Sequence, residues 1–317
     1  LKDENERTRA VAAVALGKTG AAEALEELLV ALNDTDSMVR GAAAEALKEI
    51  GSPLAGEGLL AALRDSDEHM RKAVAPLNDQ YDKSKLDAVL KSIEAINESV
   101  EKIIHALGKT GSPEAVDDLL KELKHPYEKV RSAAACALGD LGAQAAVDGL
   151  LEALKDKDIW VRFSAALALG TIGAPGASAG LTTALMDSEH WVSDVAAESL
   201  VKIGSPAAVT SLLAALNDEN VYHHEITSTL VKIGSPDALE GLLTALQGNN
   251  PHARSAAADG LGKIGSPNAI GELLAALQDE DKAVWCAAIQ ALGKIGAPEA
   301  AAGLLAALED ADGAVRQ

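Results

Sequence analysis

A chain of 317 residues with 28 Lys plus Arg against 48 Asp plus Glu, a formal charge of −20, is ill suited to phosphate backbones or anionic lipid and suits a basic or neutral protein partner. Its two cysteines, Cys136 and Cys286, stand far apart, which argues against a disulfide framework or a cysteine-rich metal site. Every leucine-rich run is broken by charge or glycine well short of membrane-spanning length, and the few aromatics (Tyr81, Tyr127, Trp160, Phe163, Trp191, Tyr222, Trp285) imply a core of small, closely spaced helices.

A glycine closing a GKIG-like tetrapeptide falls at Gly20, Gly51, Gly111, Gly142, Gly173, Gly204, Gly234, Gly265 and Gly296, with spacings of 31, 60, 31, 31, 31, 30, 31 and 31. A fixed period near 31 predicts a solenoid of about ten two-helix repeats, the gap of 60 hiding one degenerate copy. Residues 1–20 are expected to hold a partial first repeat, 21–75 regular repeats, 76–86 an irregular break, 87–296 regular repeats and 297–317 a partial last repeat. Leu1 opens inside one repeat and Gln317 closes inside another, so the natural ends are expected to lie elsewhere, and without a signal-like segment the expected location is cytoplasmic.

Each copy reads in the same order. After the glycine comes SPxA or APxA, as in GSPAAVTSLLAALND at 204–218, with Ser predicted to cap a first helix and Pro to occupy its first turn. The LLxAL run supplies one apolar stripe. Acidic turns such as DKD (156–158), DSE (187–189) and DED (279–281) end this helix and cap the next, whose pattern VRxxAAxALGxIG starts at Val39, Val130 and Val161. Central alanines let neighbouring second helices approach closely, and the final glycine stops the helix.

Several copies depart from the pattern. Between Gly51 and Gly111 the second helix HMRKAVAPLNDQYDKSK lacks its ALGxIG ending, and Pro76 is expected to end it near Ala75. An arginine recurs 11 residues before the glycine, at Arg9, Arg40, Arg131, Arg162 and Arg254, with Arg71 in the degenerate copy; Ser193, His223 and Trp285 replace it. Trp160, Trp191, Val221 and His252 fall 13 residues before theirs, where other copies carry Lys129 and Ala283. A column that accepts lysine faces water, which exposes Trp160, Trp191 and His252; with the other rings of the same first turns, Phe163, Tyr222 (in the Val column and partly buried), His223, His224 and Trp285, they are the candidate partner-binding residues.

These motifs resemble HEAT repeats, in particular the short HEAT-like repeats of the phycobilisome-lyase type, over essentially the whole chain. The resemblance implies an all-α, right-handed superhelix whose second helices line the concave side, and an Asp–Arg pair bracing adjacent copies. The family includes scaffolds, chromophore lyases and a metal-dependent hydroxylase, so it does not choose between them. The His224–Glu225 pair resembles the His–Glu pairs of deoxyhypusine hydroxylase, but it occurs once, whereas a diiron centre needs several converging imidazoles and carboxylates. His223, His224 and Glu225 remain secondary metal candidates, with Asp194 or His190 as a further ligand. No phosphate loop or nucleophile motif is present, and no cofactor is implied. The expected function is a non-catalytic protein-interaction scaffold or adaptor that holds a partner, preferably through a basic segment, along the second-helix edge or concave face. The alternatives are a bilin lyase or phycobilisome-associated chromophore handler and, third, a hydroxylase-like metal enzyme.

Overall fold

The computed structural model describes residues 1–20, 22–74, 83–218, 221–296 and 298–309, with backbone only at 22, 67, 68, 70, 71, 73, 74, 83–88 and 306–309. Among the described residues there are 18 α-helices and no strands, in two compact units, Leu1–Ile172 and Gly173–Gln317. The first unit contains α1 (Glu6–Thr19), α2 (Leu25–Ala31), α3 (Ser37–Ile50), α4 (Gly56–Val74), α5 (Lys83–Thr110), α6 (Val116–Glu122), α7 (Glu128–Asp140), α8 (Val147–Ala153) and α9 (Ile159–Ile172). The second contains α10 (Ser178–Ala184), α11 (His190–Ile203), α12 (Pro206–Leu216), α13 (His223–Ile233), α14 (Pro236–Leu246), α15 (Pro251–Ile264), α16 (Ile270–Ala275), α17 (Lys282–Ile295) and α18 (Ala301–Glu309). In the first unit the second helices α1, α3, α5, α7 and α9 pack each on the next, and in the second unit α11, α13, α15 and α17 do the same.

The period is set at the helix ends. All nine glycines singled out by spacing adopt positive φ, from 51° to 70°, and no other described residue does. A side chain there would meet the left-handed penalty, so glycine stops each second helix at a fixed length. At the other end, Oδ1 of Asp36 accepts from the amides of Met38 and Val39, Asp158 from Trp160 and Val161, and Asp281 from Ala283 and Val284. The Ser–Pro starts behave in two ways. Ser205 and Ser235 cap α12 and α14 as expected, whereas Ser52, Ser112 and Ser266 make no cap bond and precede a short 3₁₀ turn.

The core is a row of leucines and small residues. Leu28, Leu47, Leu107, Leu119, Leu138, Leu150 and Leu169 are fully buried, and each such side chain contributes about 1.5–3 kcal/mol through lost apolar exposure. Helices approach so closely that a Cβ on Gly262 would lie 2.6 Å from Ala291 Cα, and one on Gly139 would lie 2.8 Å from Ala168 Cα. The ALG motif is therefore a contact surface for the alanine of the following repeat.

The segment 51–111 differs from expectation. Two copies were predicted there, but the described helices form one enlarged pair, the 19-residue α4 against the 28-residue α5. The acidic stretch Asp65–Ser66–Asp67, at the repeat position where other copies carry an acidic turn, lies inside α4. Residues 83–86, expected in the break, are already helical, while Pro76, Tyr81, residues 75–82 and the Arg71 side chain lie outside the described residues.

Candidate functional site

The arginine column is the structural frame of the site. Arg9, Arg131 and Arg254 each use Nη1 to donate to two carbonyls of their own turn and Nε with Nη2 to grip both oxygens of an aspartate 25 residues later. The partners are Asp34 at 2.7 and 2.8 Å, Asp156 at 2.7 and 2.8 Å, and Asp279 at 2.8 and 2.9 Å. Each bidentate bond raises the arginine's pKa, and the same three aspartates accept the amide two residues on, which shapes the turn. The column is thus a brace between copies, as the resemblance implied.

Aromatic residues cluster just ahead of this frame, at the first turns of second helices. Trp160, on α9, is 57% exposed and meets Phe163 edge to face with centroids 6.0 Å apart. In the second unit, Trp191 on α11 is 63% exposed, beside an exposed His190–Asp194 pair at 3.1 Å. Tyr222 is 60% exposed, which corrects its placement in the buried Val column. Helix α13 starts at His223, later in its repeat than α11 or α15, so Tyr222 precedes the helix, its amide donating to Met186 Sδ at 3.2 Å. Trp285 is also corrected: it is buried, filling a slot of the arginine column where Arg40 and Arg131 are buried too. Met38, 57% exposed and 13 residues before Gly51, belongs to the same column as Trp160 and Trp191; its register could have revealed it.

The histidines form a separate feature. His223 and His252 lie on α13 and α15 with ring centroids 5.7 Å apart. They border a cavity of about 290 Å³ with His224, Thr227, Ser255 and Asp259. His223 Nε2 and Thr227 Oγ1 are buried there without a hydrogen-bond partner. Burial, and then the neighbouring His252, hold the His223 imidazole below its ordinary pKa, so it is uncharged at neutral pH. Asp259 on the cavity wall pairs with Lys263 at 2.8 Å and Lys294 at 2.9 Å. His224 and Glu225 are exposed, and among the described residues no three His, Cys, Asp or Glu side chains are gathered as a metal ion requires. The cavity thus presents an imidazole nitrogen and a hydroxyl, both buried without a partner.

The class these features define is an all-α solenoid of stacked helix pairs. The HEAT-repeat family model matches residues 1–78, 116–200, 149–223 and 239–317, and the chain belongs to that family. No curated protein matches it. Among solved structures it is similar to an engineered protein, at 20% identity over 94% of this chain and 97% of that one, TM-score 0.35. It is similar also to the CpcE–CpcF complex of phycocyanin lyase from Nostoc sp. PCC7120, at 19% over 90% and 92%, TM-score 0.41. Human deoxyhypusine hydroxylase in complex with glycerol is a third, at 19% over 77% and 99%, TM-score 0.32. No described helix is long and apolar enough to cross a membrane.

Proposed function

We propose that this HEAT-repeat chain is a non-catalytic interaction scaffold that holds a protein partner along the first turns of its second helices. The observation that carries the reading is the exposure of Trp160, Trp191 and Tyr222, each more than half open to water in a chain with seven aromatics in all. Large rings in water are unfavourable unless something covers them, and Trp and Tyr are the side chains that most often anchor an interface. The HEAT-repeat fold supports a protein-interaction role, because stacked helix pairs repeat the same exposed positions along each unit. The charge of −20 favours a basic segment in the partner, drawn in by long-range attraction.

The test is the double variant W160A/W191A. Because both rings are exposed, its unfolding free energy should change by no more than surface substitutions do, about 0.5 kcal/mol each, while capture of the partner from native cell extract is lost. A large loss of stability, or unchanged capture, would count against the reading.

A further inference from the structure

Arg40 is set apart from the other arginines of its column. Its Nη1 docks in the usual way, donating to the carbonyls of Asp34 at 2.9 Å and Thr35 at 3.1 Å. In Arg9, Arg131 and Arg254 the opposite edge of the guanidinium grips an aspartate 25 residues later. For Arg40 that residue is Asp65, and α4 runs through it unbroken, so no turn presents its carboxylate; Asp65 is exposed instead. Asp36 and Asp34 attract Arg40 from nearby without hydrogen-bonding to its side chain through their carboxylates, and Asp36 is engaged in capping α3. Consequently burial dominates and lowers the Arg40 pKa, whereas the three braced arginines are raised. Arg40 is 4% exposed, yet it borders a cavity of about 580 Å³ that His69, Lys72, Lys91, Ser92 and Asp36 also line. A buried guanidinium whose second edge meets no hydrogen-bond partner among the described residues, beside a cavity that Lys91 also lines on a strongly acidic chain, has the make-up of an anion site.

We propose that a ligand carboxylate occupies the open edge of Arg40, taking the place that an aspartate of the next repeat takes on Arg9, Arg131 and Arg254, with Lys91 adding positive charge. The geometry of the braced copies defines the chemistry: two parallel N–H···O bonds to a planar oxyanion. The carboxylate comes either from a small free acid or from an aspartate or glutamate side chain of a peptide, and the cavity has room for both. This site is independent of the aromatic edge and stands whether or not that edge holds a partner.

Calorimetric titration of the full chain with succinate, with an acetylated Asp-Asp dipeptide amide and with inorganic phosphate tests the assignment. Saturable one-to-one binding of succinate or of the dipeptide is expected, the first identifying a free acid and the second a peptide side chain. R40Q should weaken it at least about tenfold, the loss of a charge-assisted bidentate contact, while K294Q, which removes one equivalent charge on the other unit, leaves it unchanged. Should R40Q lose its cooperative unfolding transition, K91Q, at an exposed position on the cavity wall, carries the test through a severalfold weaker binding. Equal affinity in the folded variants, binding of phosphate alone, or no saturable binding of either carboxylate would overturn the proposal.

Discussion

Arg254 and His223 stand at the same position of adjacent repeats and meet opposite surroundings. Arg254 is locked between the carbonyls of Gly248 and Asn249 and the carboxylate of Asp279, while His223 has Gly248 where an aspartate would answer it, and its Nε2 has no partner. Both halves of the brace are missing together, and on its α15 side His223 borders a polar cavity with His252, Ser255 and Asp259. Yet α13 still packs on α15, with Gly260 taking the close approach to Thr227. The apolar stripe and the terminal glycine are therefore enough to build a repeat, and the brace is an added fastening whose removal leaves polar groups free for other use.

The largest expected effect comes from the close approach on the braced side. G262A would drive a methyl to 2.6 Å from Ala291 Cα, and overpacking of this kind should cost about 1–3 kcal/mol, read as a lower denaturant midpoint. The same change at the equivalent Gly293, where no atom of the described residues lies within 4 Å, should instead be neutral or stabilising by up to about 1 kcal/mol. Next, D156A leaves the largely buried Arg131 with carbonyl partners only and should cost about 1–2 kcal/mol by chemical denaturation. The pair H223R/G248D rebuilds the brace in the unbraced repeat; it should raise stability by less than about 1 kcal/mol, because the turn must first accommodate the new side chain 3.2 Å from the Ala245 carbonyl.

The pH dependence separates the two kinds of rung with a smaller signal. Burial holds His105 and His223 below the ordinary value of 6.5, so the folded chain binds fewer protons there than the unfolded chain. Their contribution is complete above pH 6.5 and is lost as pH falls through 6.5 toward the folded values. Asp34 and Asp279, held below 3.8 by the arginines that bond them, contribute until pH falls under that value. Stability measured from pH 7.5 downward should fall in two stages, and H223N should shrink the first stage and leave the second.

Much of this was legible in the sequence because it rests on residues with a single physical role. Glycine at a fixed interval has one use at a helix end, and all nine positions adopt it. Arg131 and Asp156 could be paired by register alone. What escaped depended on distant neighbours. The RDSD stretch of α4 has the same local signals as the turns elsewhere, and α5, long enough to receive a continuous helix, packs along it. Trp285 stands in the arginine column, where buried Arg40 and Arg131 mark an enclosed slot, and its grouping with the exposed rings rests on residue type rather than on that position. Tyr222 was misplaced by the late start of α13, a change that leaves no mark on the spacing of its terminal glycine. The cavity at His223 depends on how the side chains of His252, Ser255 and Asp259 on α15 enclose it, which the spacing of the terminal glycines does not show.

The most direct measurement is site-specific photocrosslinking in native cells, with a photoreactive phenylalanine analogue at position 191, in the exposed edge, and at the exposed Asn268 before α16. The account predicts one dominant crosslinked protein from position 191 and none from position 268. The same product from both positions, or none from position 191, would contradict a partner held along the aromatic edge.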